Sequence, residues 1–150
     1  MVNKPKAIGT AAETAVARFF QGDGWTDAER IALHGAYDKG DVRICSRPWT
    51  AIAEVKAGAT AEAASPALIE QWLDETDTER RNAAATIGVL VVRRYRRNIT
   101  AWDVWLPLKH LVWLEVGVYG GSDIPTRLSL GDFSELLRFA VGEWEAGDRP

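Results

Sequence analysis

The order of patterns along the chain predicts an α/β fold with a central mixed β-sheet flanked by α-helices. Three observations carry that expectation. An amphipathic helical stretch opens the chain, a meander of short strands follows it, and a second helix leads into a run, Thr86 to Arg93, that is apolar and branched on both faces. A strand buried on both sides is best joined to its neighbour in parallel, through a helix that crosses back over the sheet.

Taken in order, residues 8–21 read as the first helix, with Ile8, Ala12, Ala15, Val16 and Phe19 on its apolar side and Gly22 and Gly24 ending it. Glu13 lies on its flank. Trp25 to Leu33 reads as a first strand despite its charged centre, and His34 to Gly40 as a loop. In Lys39-Gly40-Asp41-Val42-Arg43-Ile44 a glycine turn enters a second strand, and Thr50 to Lys56 alternates as a third. Residues 57–64 are alanine-rich and ambiguous. Ser65 and Pro66 suit an N-cap and first helical position, so a helix is expected from there to Asn82 with the stripe Leu68, Ile69, Trp72, Leu73 and Thr76. After Thr86 to Arg93, the short approach to Asn98 suits a hairpin turn into a strand from Ala101 to Leu106. Pro107 to Trp113 suits a short helix, whereas Gly117 to Gly131 is a glycine-rich loop or weak hairpin with no assigned place. Asp132 is expected to cap a last helix, Phe133 to Glu145, with Glu135 at its third position.

A length of 150 residues, 47% of them hydrophobic, suits one domain with a continuous core. The longest apolar runs fall far short of the roughly 20 residues of a membrane span, and the N-terminus has no signal-peptide pattern, so a cytoplasmic protein without membrane partners is expected. Cys45 is the lone cysteine and only His34 and His110 accompany it, which disfavours zinc. Any metal should be oxygen-bound, as magnesium or manganese is. The net charge of −3 argues against a generally basic nucleic-acid binder. Locally, however, Arg93, Arg94, Arg96 and Arg97 bracket Tyr95, a candidate DNA-contacting cluster that reads equally as a solvated hairpin tip.

Asp41 stands thirteen residues before Glu54-Val55-Lys56. Alternation along the third strand sends Glu54 and Lys56 to one face and Val55 to the other, and pairing of the two strands would bring Asp41 beside Glu54. Phosphodiester hydrolysis needs a nucleophilic water, neutralised charge in the transition state and a stabilised leaving oxygen, all of which a magnesium ion can supply. In that reading Asp41 and Glu54 hold the metal, the Val55 carbonyl offers a third oxygen, and Lys56 positions water or stabilises developing charge. Glu13 adds a ligand directly or through water, and Gln71 orients water or Lys56. Each signal has a bland counterpart. An Asp after Gly is commonly a turn residue, a Glu-x-Lys strand face a solvated charge ladder, and Glu13 or Gln71 a helix flank. The combination points to chemistry, because a strand as apolar as Ala51 to Val55 should be central, and its charges then need a polar cleft. The tryptophans Trp25, Trp72, Trp102, Trp105 and Trp113 read as core rather than as stacking platforms, and His34 is given no role.

The ordered set Glu13, Asp41, Glu54-Val55-Lys56 and Gln71 resembles the PD-(D/E)XK nuclease superfamily, and within it the archaeal-type Holliday junction resolvases. Gly9-Thr10-Ala11-Ala12-Glu13, Asp38-Lys39-Gly40-Asp41-Val42, Trp72-Leu73-Asp74-Glu75 and Gly88-Val89-Leu90-Val91-Val92 look like a resolvase-like branch found in phages of actinobacteria. The likeness spans residues 8 to about 113, leaving 114–150 as a C-terminal extension packed on the core. It implies a restriction-endonuclease-like core, magnesium dependence, and a homodimer that cuts four-way junction DNA symmetrically. It carries metal ligation onto Asp41 and Glu54, the catalytic amine onto Lys56, and supporting roles onto Glu13 and Gln71. Gly40 stands where the superfamily's name has proline, and the acidity departs from the basic archaeal resolvases. Two alternatives stay open: a nuclease of the same superfamily acting on duplex, flap or single-stranded DNA, and a binding module without catalysis.

Overall fold

The structure, a computed structural model, describes residues 4–32 and 35–149. Leu33 and His34, named above, lie outside the described residues. The elements run α1 (Lys4–Gly22), β1 (Glu29–Arg30), β2 (Val42–Cys45), β3 (Ala51–Lys56), α2 (Ala59–Glu62), α3 (Pro66–Asn82), β4 (Ile87–Val92), a 3-10 turn (Ile99–Ala101), β5 (Asp103–Pro107), α4 (Leu108–Val116), β6 (Pro125–Ser129) and α5 (Leu130–Glu145). The six strands form one mixed sheet in chain order, with the β3–β4 pair parallel and the other pairs antiparallel. Among the described residues no helix is long and apolar enough to cross a membrane.

Alternation along the central strands divides the interior. Ala51, Ala53 and Val55 of β3 and Ile87, Val89 and Val91 of β4 join Val16 and Phe20 of α1 and Phe133 and Leu137 of α5 in one apolar cluster. Leu90 and Val92 face the opposite way and meet Ile69, Trp72 and Leu73 of α3 with Ala61 of α2. Helix α3 begins where its punctuation predicts, with the Ser65 hydroxyl accepting the Leu68 N–H at 3.2 Å and Pro66 in the first turn. It also approaches β4 closely. A Cβ at Gly88 would lie 2.8 Å from Arg80 Cβ, so glycine there lets helix and strand meet.

Three expectations are corrected. The first strand contracts to the exposed pair Glu29–Arg30, because the charged run cannot enter the sheet interior, while Trp25 is buried and donates its Nε1–H to Ser134 Oγ at 3.1 Å. The unplaced stretch before residue 131 yields β6, paired to β5 from Asp103↔Ser129 to Pro107↔Pro125. The last helix is capped by Ser129, whose hydroxyl accepts the Asp132 N–H at 3.1 Å, so Asp132 sits inside the first turn and Leu130 is already helical.

Candidate active site

The turn before β2 decides where Asp41 goes. Gly40 adopts φ 91°, a conformation that favours glycine, and its neighbour Asp41 donates its N–H to the Ala53 carbonyl at 3.0 Å, extending the β2–β3 ladder by one rung. The Asp41 carboxylate reaches two residues further and accepts the Val55 N–H at 2.8 Å. Along a strand a residue's carbonyl points to the same side as its N–H, so the Val55 carbonyl shares this edge with the carboxylate. On the α3 side of β3, Lys56 Nζ lies 3.1 Å from Glu54 Oε1 and 4.0 Å from Glu75 Oε2, and 5.6 Å from the centre of the Trp72 ring.

Burial and mutual repulsion dominate the electrostatics. Asp41 is pushed from 3.8 up to about 8, first by burial, then by the charge of Glu54. Glu54 rises from 4.5 to about 8, first by burial and then through Glu79, which partly outweighs the lowering effect of Lys56. For Lys56 burial opposes the charge, yet the adjoining carboxylates, Glu54 first, more than offset it and raise its pKa. The amine therefore stays an ammonium.

Glu79 was not singled out by the sequence. It is 7% exposed, its burial raises its pKa to about 7, and it sits against Glu54 from two turns beyond Trp72 on α3. Its signal was positional: it continues the stripe Ile69, Trp72, Thr76 by one further helical step. Glu13 faces the group from α1, adding to the repulsion on Asp41, and holds Arg30 at 2.9 Å. Gln71 does not reach the carboxylates. It is exposed and donates to Glu75 Oε1 at 3.2 Å, so it touches Lys56 only through Glu75.

The four arginines after β4 take different partners. Arg93 is half-buried over Trp102 at 5.7 Å, and Arg96 lies 5.3 Å from the centre of the exposed Tyr95 ring. Arg94 binds Asp103 at 3.3 Å, and the Arg97 carbonyl accepts the Trp102 Nε1–H.

The donor set fits a hard divalent cation. Glu54 Oε2 and Glu79 Oε2 are buried without a hydrogen-bond partner, a costly state that a cation relieves. Among the described residues no group of three or more His, Cys, Asp or Glu side chains is arranged to cage an ion. Magnesium asks for less, since it is commonly held by one or two carboxylates and keeps several waters for itself and for substrate phosphate. A cavity of about 440 Å³ is lined by Arg30, Tyr37, Asp38 and Gly40 among others, and Gly40 is the residue before Asp41 in the chain.

No family model matches this chain, and neither the curated proteins nor the solved structures compared with it give a match.

Proposed function

We propose that the chain is a magnesium-dependent endodeoxyribonuclease of the PD-(D/E)XK type, with a restriction-endonuclease-like core, that cleaves branched DNA as a homodimer resembling the Holliday junction resolvases. One observation carries the reading: Asp41, Glu54 and Lys56 converge at the β2–β3 edge as one half-buried and one buried carboxylate, both proton-hungry, with an ammonium between Glu54 and Glu75. A surface charge ladder would leave those carboxylates solvated and at ordinary pKa values.

Asp41 and Glu54, with the Val55 carbonyl, are the groups to hold the ion, and Glu13 supports it through water. When bound, magnesium supplies charge neutralisation for the phosphate and for the attacking water. The protein's own contribution centres on Lys56. As a permanent ammonium it is no base; it hydrogen-bonds a phosphoryl oxygen and stabilises the negative charge that grows as water oxygen bonds to phosphorus and the ester oxygen departs. Glu54 and Glu75 hold its Nζ in place, and Gln71 fixes Glu75.

A cleavage assay tests this directly by comparing a synthetic four-way junction with linear duplex of the same sequence, with and without magnesium. Paired nicks at the junction, dependent on the ion and absent in Asp41→Asn, are the expected result. Equal cutting of linear duplex would keep the hydrolytic site and replace the substrate; cleavage by the Asp41→Asn protein would refute the site.

A further inference from the structure

The positive charge of this acidic chain is gathered most usefully away from Lys56, in a pocket where two arginines of the run after β4 meet an arginine of β6. Arg94 and Arg97 line a cavity of about 370 Å³ together with Arg127 of β6, Asp103 of β5 and Asp132 of α5. Two of these guanidiniums share one carboxylate, Arg94 Nε at 3.3 Å and Arg127 Nη1 at 3.9 Å from Asp103 Oδ2. Arg127 is also braced over the Trp105 ring at 5.6 Å, and Arg97 is exposed. Three guanidiniums thus face the carboxylates of Asp103 and Asp132 across the cavity, while Glu62, outside it, lies 4.0 Å from Arg94 Nη1.

Its location relative to the acidic site is fixed by strand register. Lys56 pairs with Val92, and Val92 with Asp103, so Lys56 and Asp103 stand in one row across the sheet and on the same face. Two strand spacings separate them, about 10 Å. The advance of about 3.4 Å per nucleotide is measured along the duplex axis, and successive phosphates of one winding strand lie farther apart than that, so the row spans fewer than three nucleotides.

We propose that the Arg94–Arg97–Arg127 cavity is a phosphate pocket that takes a backbone phosphate of the DNA strand within three nucleotides of the one hydrolysed at Asp41 and Glu54. The placement rests on the hydrolytic reading; the pocket itself is tested without it. Guanidiniums present paired N–H donors matched to two phosphate oxygens, and Asp103 holds two of them oriented before a phosphate arrives. Arg127, the one of the three that lies on a strand, brings the C-terminal segment into DNA contact.

Binding of a labelled duplex oligonucleotide to the Asp41→Asn protein, followed by fluorescence anisotropy between roughly 50 and 200 mM salt, decides the matter. Arg127→Ala and Arg97→Ala are each expected to lower the slope of log affinity against log salt by about 0.9, the value of one lost phosphate contact. Arg127→Lys should keep the slope and lose affinity, because the charge remains and the two-pronged geometry does not. Arg96→Ala, on the turn but outside the cavity, should change nothing. An unchanged slope in Arg127→Ala, an equal fall in Arg96→Ala, or no binding at the lowest salt overturns the pocket. So does inorganic phosphate that binds the protein tightly while Arg127→Ala leaves oligonucleotide affinity intact, since the site would then serve a free anion. Magnesium-dependent cleavage by the unsubstituted protein is scored apart: cleavage with an unaltered slope removes the pocket alone, and an altered slope without cleavage removes the hydrolytic reading alone.

Discussion

Strand β3 lives in two environments at once, and they impose opposite demands. On one side Ala51, Ala53 and Val55 meet the α1 and α5 side chains in a close apolar layer where Phe20 and Phe133 are fully buried, their ring centres 6.4 Å apart. On the other, Glu54 is buried almost as deeply, against Glu79 and beside Lys56. The apolar side gains free energy from every atom it removes from water. The acidic side loses it, because two of its carboxylate oxygens are buried without partners and neighbouring like charges raise their pKa values. A fold keeps such a region when something outside the chain repays it, and a bound cation is the simplest candidate.

The sharpest way to break this contrast is to neutralise one side and deplete the other. Asp41→Asn and Glu54→Gln should each reduce cleavage by about 10³-fold or more, roughly 4 kcal/mol in the barrier, while leaving the thermal midpoint unchanged or higher. A large fall in that midpoint would show the carboxylates to be structural. Phe133→Ala should do the reverse, lowering stability by about 3–5 kcal/mol in denaturant titrations.

Acidity offers a gentler separation of the two regions. Asp41, Glu54 and Glu79 have folded-state values of about 8, 8 and 7, above their ordinary 3.8 and 4.5, so the folded chain retains protons that the unfolded chain releases. In a chelator, stability from these groups should be fullest near pH 4 and decline as pH rises through about 8, and magnesium or manganese should reverse that decline. His110 titrates the other way. Burial, then Arg80, lower it from 6.5 to about 4, so its contribution is present above pH 6.5 and lost as pH falls toward 4. Thermal melts across pH should show Glu54→Gln flattening the alkaline decline and His110→Phe flattening the acid one; a swap of those effects would refute the assignment. The smallest change is expected at a helix end, where Ser65→Ala should cost about 1 kcal/mol with cleavage intact.

Much of this could be read from the chain, for local reasons. The Ser65-Pro66 pair marks the start of α3 because both residues act on their own first turn. The period of two in Thr50 to Lys56 places Glu54 and Lys56 on one face whatever surrounds them. What escaped the sequence depends on distant partners. Glu79 looks like any solvated helix glutamate until Glu54 is set against it. The arginine run looks uniform until Trp102 draws Arg93 to one side and Asp103 draws Arg94 to the other. Asp132 resembles a helix cap more than it resembles the first-turn residue that Ser129 caps.

Gly88 has a bearing on function that its place in the apolar strand conceals. Because only a hydrogen atom separates its Cα from Arg80, this residue sets the height at which α3 rides above the sheet, and Glu79 is the neighbour of Arg80. Adding even a methyl group there would prise the helix outward and pull the two glutamates apart, making a position with no charge and no contact with solvent a remote adjuster of the acidic pair's spacing.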